Sequence, residues 1–534
     1  MAVSALVSVS KEIVLLHKWD LLAGFIVLVA LRVFCRLYLH PLAKIPGPKL
    51  TAATSLYEFY YDVICGGKFI FQIEKMHQQY GPIVRINPRE VHIIDPTFYH
   101  EIYAPAGRRR NKDEAFVKTF GVPYAAVATV QHDTHRFRRG LLNDFFSRRS
   151  VLALAPVIGE RVEKLMSRFT EFYESGQPLD LCDAFGAFTS DIVTFYCYGK
   201  SWGFLEDPDF RSDIRTAAND FSAFCHINRF FPFLTSILRS VPPKIMSSLM
   251  PGKSALFEFQ RSIFQHFSAV VAGKTITLTG EHNIINRLTS KDIPPEERTL
   301  SRLQDEGFTL IVAGSETTMR SLAFAAYYIF QDKDILAKVR AELKTVLPTP
   351  TSTTTLPELE KLPYLTGAIN ESLRLSNAAV IRLPRVAPDE VLKYQEHAIP
   401  PGTPVSTSNY FVHYNPDIFP DPYKFDPERW IRAAKDGFSL HKYLVTFTKG
   451  SRMCVGIKCV FYTSLLSSQS ATNVYFSLAF MELYLAIAYY IRRFDFEIVD
   501  TDPANIRVAR DLVVGLPETG VLRIRAKVKG VVQE

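Results

Sequence analysis

The 534-residue chain has little of what would staple a small fold or mark a nucleotide enzyme. Its seven cysteines (Cys35, Cys65, Cys182, Cys197, Cys225, Cys454 and Cys459) are odd in number, scattered and without a Cys-x-x-Cys pair. That argues against a disulfide framework or structural zinc site and points to a reducing compartment. No Gly-x-Gly-x-x-Gly or Walker pattern occurs, so the chain carries no dinucleotide or P-loop fingerprint of its own. No internal repeat and no extended basic tract stand out. The net charge of +8 is diffuse and suits a membrane surface better than nucleic acid. Charged residues are 22% and apolar residues 47%, which excludes disorder, collagen and coiled coil. Forty Phe and 24 Tyr supply a large apolar core.

One apolar run is long enough to matter. Leu21–Leu39 reads LLAGFIVLVALRVFCRLYL, and nineteen residues of helix span roughly 28 Å, close to a hydrocarbon core. Arg32 and Arg36 are expected to snorkel to headgroups at its end. A signal-peptide core has the same length. However, no small-x-small cleavage site follows, only the stiff segment His40–Pro48, HPLAKIPGP. More basic residues lie downstream (Arg32, Arg36, Lys44, Lys49) than upstream (Lys11, Lys18), which places the body in the cytosol. The expected organisation is an anchor over 1–40 and a single large domain over 41–534.

Helical periodicity dominates Ser150–Arg374. Strand-like runs occur at Ile83–Ile94, at Val386–Ile399 and near the carboxyl end (FDFEIVD, VLRIRAKV). A Thr/Pro-rich loop spans Pro348–Leu356. The fold class is mainly α with a small β region.

The chemistry concentrates in Phe447-Thr448-Lys449-Gly450-Ser451-Arg452-Met453-Cys454-Val455-Gly456. Cys454 lies in a Gly-flanked turn ahead of an apolar helical run, where backbone N–H groups favour a thiolate. Gly450 permits a tight turn and Gly456 a close approach. Arg452 can meet an anion beside the sulfur. A buried thiolate with a nearby cation suits axial ligation of haem iron.

This segment, Phe-x-x-Gly-x-Arg-x-Cys-x-Gly, resembles the haem-binding signature of the cytochrome P450 family, and further landmarks follow in the family's order. Ala313-Gly314-Ser315-Glu316-Thr317-Thr318 resembles the oxygen-activation segment. Glu371-Ser372-Leu373-Arg374 resembles the Glu-x-x-Arg pair, and Phe425–Trp430 the arginine motif. The hinge and Tyr57–Arg89 are most similar to membrane-bound fungal enzymes that oxidise terpenoids such as trichodiene.

The resemblance implies a P450 fold holding haem b on Cys454. The implied activity is a monooxygenase that inserts one atom of O2 into a hydrophobic small molecule in secondary-metabolite biosynthesis. Electrons would come from an NADPH-dependent reductase on the same endoplasmic reticulum membrane. Glu316 and Thr317 correspond to the acid–alcohol pair that delivers protons. Gly314 lets a ligand approach the backbone, and Thr317 opens the helix by side-chain hydrogen bonding. Phe447, Gly450 and Gly456 shape the cysteine loop. His135, Arg139, Arg385 and Arg452 are the candidates for the haem propionates; His135 stands where the family has Trp and keeps a ring N–H. Glu371, Arg374 and Arg429 form a structural triad. Pocket candidates, each also compatible with ordinary core packing, are Phe116, Phe120, Tyr124 and Val127; Phe308, Ile311 and Val312; and Ala379, Val380 and Ile381. The glycosylation-type triplet at Asn370 is a chance match within a helix.

One stretch departs from the family. The Leu-Ala pair expected five residues after the ligand cysteine stands at Leu478-Ala479, nineteen residues late. The intervening Cys459–Ser477, CVFYTSLLSSQSATNVYFS, breaks helical periodicity. As a loop it would separate the thiolate from the helix amino terminus that supports it. The codons of these residues can supply intron boundaries and a branch point, and splicing would turn Lys458 into Asn and join it to Leu478. A retained intron is the simplest account, and a true inserted loop is the other. With the insertion in place, a catalytically silent P450-like membrane protein is the alternative function. Oxygen-independent rearrangement is a third, disfavoured by the intact Glu316-Thr317 pair.

Overall fold

The computed structural model describes residues 18–241, 245–246, 248, 254–272, 283–460 and 474–533. The elements used below are, in chain order, α1 (Lys18–Phe34), β1 (Ile83–Arg85), β2 (Val91–Ile93), β3 (Asn111–Lys112), α2 (His132–Asn143), α3 (Ala155–Ser175), β4 (Leu179–Asp180), α4 (Leu181–Tyr198), α5 (Ser212–Ser222), α6 (Cys225–Phe230) and α7 (Ser254–Val271). They continue with α8 (Leu300–Gln331), α9 (Pro363–Leu375), β5 (Arg385–Val386), β6 (Pro404–Ser406), α10 (Glu428–Lys435), β7 (Ile457–Val460), β8 (Val474–Ser477), α11 (Leu478–Arg493), β9 (Phe494–Val499) and β10 (Arg525–Val531).

The apolar run forms α1 and continues as a π-turn over Cys35–Leu39; none of it is buried in the body. Arg36 does not reach outward as expected. Its guanidinium donates to Ala53 O at 2.7 Å, and its own carbonyl accepts from Arg85 at 2.8 Å. The proline-rich segment is docked too: Leu42 and Ile45 are buried in a core cluster with β1 and β2 residues.

The body is built around α8, 32 residues without proline. It packs against α4, α7, α9 and α11. Asp180 caps α4 by accepting from Cys182 N, and Gly199 ends it in the left-handed region at φ 71°. The sequence expected Gly314 to admit a ligand; it serves helix packing instead. A Cβ there would lie 2.9 Å from Val193 Cγ2 of α4. The expected opening of α8 at Thr317 is also absent: the helix runs unbroken, and Thr317 Oγ1 donates to Ala313 O at 2.8 Å within it.

The sheets occupy the periphery, close to the predicted runs. A five-stranded sheet has the order β1-β2-β6-β5-β3, and a second has the order β9-β10-β4. In the first, the register sets Lys112 of β3 directly opposite Arg385 of β5.

The insertion does not separate cysteine loop and helix. Strands β7 and β8 pair antiparallel, with Ser477 opposite Ile457. Their Cα atoms are therefore on the order of 5 Å apart, and α11 begins at the next residue. The ladder pinches off the extra chain at its base. Residues 461–473 lie outside the described residues.

Candidate active site

The cysteine loop is shaped by close approach. Gly450 has φ +75°, and a Cβ there would lie 2.2 Å from Ala104 O and 2.3 Å from Tyr103 O, so no other residue fits. Ser451 N donates to Ala104 O at 3.1 Å and Cys454 N to Phe447 O at 2.9 Å. The Phe447 ring stands 5.7 Å from that of Phe480 on α11, which docks the loop on the helix. At Gly456 a Cβ would meet only Cys454 Sγ, at 3.7 Å. The fold itself thus tolerates a side chain there; what the glycine leaves clear is the face of the sulfur.

Cys454 is exposed, yet burial pushes its thiol pKa up, while the Gly456 amide and Arg139 pull the other way. Exposure together with desolvation means that the sulfur faces an internal hollow. Val312 and Ala313 in the middle of α8 are likewise exposed, although the helix is packed by four others.

Around the cysteine loop the structure gathers cations. Arg139 donates to Cys454 O at 3.0 Å. Arg452 is buried and donates to Thr129 O at 2.6 Å, Val130 O at 2.7 Å and Arg110 O at 3.3 Å. Arg385 is buried over the Tyr103 ring, with its Nε unpartnered. A fourth cation was not read from the sequence: Lys112, buried, with its ammonium on Val127 O and desolvation pushing its pKa well down. It lies within the run Arg108–Asp113, which reads as a solvated charged face. The available signal was the strand period, since Arg110 and Lys112 are both buried while Asn111 between them is only half-buried.

Among the described residues none of Lys112, Arg139, Arg385 or Arg452 pairs with a carboxylate. Each lowers the affinity of the cluster for protons. Arg452 is pushed down to about 9 by desolvation and then Arg385. His135 is pushed to about 2 by desolvation, then Arg452, Lys112, Arg139 and Arg385, so its imidazole is neutral. Buried like charges without partners are costly, and this arrangement suits an anionic ligand.

Glu371, Arg374 and Arg429 do meet. Arg374 Nε and Nη2 reach Glu371 Oε1 and Oε2 at 2.9 and 2.7 Å. The two further donors are Trp430 Nε1 on Oε1 and Asp426 N on Oε2, both at 3.0 Å. Arg429 Nε is 3.3 Å from Oε2, but its aligned bonds go to the carbonyls of Pro420, Asp421 and Lys424. Arg374 also donates to His413 O, and His413 Nε2 accepts from Val445 N, leading into the cysteine loop.

The pocket candidates scatter. Phe116 is enclosed between the guanidiniums of Arg229 and Arg382. Phe120 lies under Lys112, Tyr124 is half exposed and Val127 is half-buried. Val380 and Ile381 are buried, and their amides donate to Val513 O; Ala379 and Phe308 are half-buried. Ile311 and Val312 line a cavity that also takes in Glu316. Asn370 is buried in α9, where no glycan can be attached.

The family model for Cytochrome P450 matches residues 55–459. The cytochrome P450 monooxygenase TRI4 of Trichoderma arundinaceum is 42% identical over 493 residues, 92% of each chain. Cytochrome P450 monooxygenase aflU of Aspergillus parasiticus is 40% identical over 509 residues, 95% of this chain and 98% of that one. Conidiogenone synthase PchP450 of Penicillium rubens is 41% identical over 505 residues, covering 94% and 97%.

The chain is a cytochrome P450.

It is accordingly a monooxygenase of the fungal secondary-metabolite type, and the cofactor of such a P450 is cysteine-thiolate-ligated haem. The residues present fit that group. Four unpaired cations and a neutral imidazole suit two propionates, the orphaned Arg385 Nε needs an acceptor, and a bare glycine face flanks a desolvated sulfur.

Proposed function

We propose that Cys454 is the axial thiolate, that Lys112, His135, Arg139, Arg385 and Arg452 receive the propionates, and that Glu316 and Thr317 handle protons. The single observation that carries this is the cation-only cluster against the cysteine loop. Arg452 and Arg385 neutralise the propionate carboxylates; neutral His135 donates a ring N–H. The Gly456 amide and Arg139 favour the thiolate over the thiol. When bound, the haem supplies the iron at which O2 is reduced and cleaved. Thr317 Oγ1, free to turn from Ala313 O, passes a proton from the Glu316 carboxyl towards that side of α8. The pool of protons lies in this chain and the electrons come from outside it. The partner is an NADPH-dependent P450 reductase, and both sit on the endoplasmic reticulum membrane, with α1 as a single-pass anchor and the body cytosolic. The substrate is a lipophilic terpenoid, in line with the apolar candidates on α8 and the resemblance to terpenoid oxygenases.

The chain as written also carries Cys459–Ser477, which we read as a retained intron. The family match ends at Cys459, and Ser477, the last residue of the stretch, pairs with Ile457, two residues before its start, so its removal leaves a short gap to close between the cysteine loop and α11. Sequencing of the major transcript tests this directly: finding the bases for residues 459–477 retained there overturns it. The enzyme reading is tested by the reduced-plus-CO difference spectrum of the shortened protein carrying Lys458→Asn. A thiolate-type Soret band that disappears in Cys454→Ser is expected. A band that survives Cys454→Ser sinks the ligand assignment.

A further inference from the structure

Behind α8 lies a cavity of about 70 Å³. It is lined by Asp183, Ser190, Arg215, Ser315 and Glu316 together with Ile311, Phe204, Phe210 and Arg211. Most of the lining is apolar, so a space of that size holds at most a few waters, beside its polar groups. Arg211 is 38% exposed, so the cavity lies next to solvent at the start of α5.

Glu316 and Asp183 are the carboxylates lining this cavity, and one Glu316 oxygen has a singular neighbour. Glu316 Oε1 is buried without a hydrogen-bond partner, and so is Arg320 Nη1, one helical turn on. The two orphaned atoms face each other at 3.9 Å. Arg320 is fully buried and otherwise occupied. Its Nε and Nη2 donate to Ser376 O at 3.2 and 3.0 Å, and Nη2 also to Gly515 O. Those carbonyls fix the guanidinium plane and leave Nη1 alone for Glu316. Arg215 enters from α5, held by Asp183 at 2.5 Å and Asp180 at 3.7 Å.

The geometry points to Arg320 as the positioning residue for Glu316. We propose that its Nη1 holds Oε1, so that the other carboxyl oxygen faces the cavity and exchanges its proton with water there. The proton supply then enters from the α4/α5 side of α8, between Asp183 and Arg215. This rests on the assignment of Glu316 as the proton-handling acid. The groups facing Glu316 are Arg320 on its own helix, Arg215 on α5, and Asp183 and Cys182 on α4. Desolvation raises the Glu316 pKa, Arg320 and then Arg215 oppose that rise, and Asp183 adds to it. Without the Arg320 charge the carboxyl must therefore stay protonated to higher pH.

The test is an infrared pH titration of the buried carboxyl band in resting, haem-loaded protein, with Glu316→Gln identifying the band. Arg320→Gln is expected to move the midpoint up by about one pH unit or more, a tenfold change in the ionised fraction. Arg320→Lys, which keeps the charge, is expected to restore most of it. With reductase and NADPH, Arg320→Gln should divert electrons to peroxide severalfold, and adding Glu316→Gln should bring no further change. An unmoved midpoint, failure of Lys to rescue, or additive effects overturn the proposal. So does loss of the thiolate-type CO band in Arg320→Gln, which would make the role structural. A wild-type protein lacking that band would sink the enzyme reading instead, leaving the titration comparison to be judged by itself.

Discussion

Two buried groups of charges meet at the cysteine loop and are built on opposite principles. In the Glu371–Arg374 group every lone pair of the carboxylate has a donor, and the surplus guanidinium N–H groups reach carbonyls. In the Lys112–Arg385–Arg452 group the guanidiniums find only carbonyls, and two cations stand directly across a β-ladder from one another. Like charges so placed are destabilising. The first group is complete within the chain and holds the fold. The second meets no carboxylate among the described residues, and on the proposed function it belongs to the site.

The largest expected effect breaks the complete group. Glu371→Gln leaves Arg374 buried without its counter-charge, at a cost of about 3–5 kcal/mol. Soluble yield and thermal melting should collapse in apo- and haem-loaded protein alike. Next comes the incomplete group, where the sign should differ between the two states. Lys112→Met or Arg452→Met should leave apoprotein melting unchanged or raised, and yet speed haem loss to apomyoglobin about 10- to 100-fold, as expected for one charge-assisted hydrogen bond. Equal destabilisation of both states would erase the distinction between the groups.

A smaller effect appears with pH. His135 falls from an ordinary 6.5 to about 2, so the unfolded chain binds the extra proton first. The associated stability is present above pH 6.5 and is lost progressively as pH falls below it. His135→Asn should flatten the melting-temperature profile on that acid side. His413, pushed to about 3 by desolvation and then Arg374, is in the complete group and should keep its own acid dependence in that variant. The smallest effect is expected from deleting residues 459–477 with Lys458→Asn. The ladder that closes the stretch already sets α11 beside Ile457, so the melting temperature should shift by no more than an ordinary surface change does, about 0.5 kcal/mol.

The cysteine loop, the Glu371–Arg374 pair and the strand positions were legible in the sequence because each depends on local spacing. Gly450 is needed for a turn, and residues three apart share a helix face. What escaped was set by long-range register. Lys112 looks solvated until β3 is laid against β5. Gly314 looks ligand-facing until Val193 arrives from α4, and Trp430 joins Glu371 only once α10 docks on α9. The consequence of the insertion was misjudged for the same reason. Length along the chain suggested separation, while strand pairing brings the two ends together.

The docking of the carboxyl end of the apolar helix has a mechanical consequence. Arg36 on Ala53, Arg85 on the Arg36 carbonyl, and buried Leu42 and Ile45 turn the hinge into a rigid handle. A body on a free tether tumbles above its surface and presents every side in turn. On the membrane-anchor reading proposed above, a body on a handle keeps one side down and one height. Any protein sharing that surface then meets it as one gear meets another on parallel shafts, with two translations and a single rotation left to search.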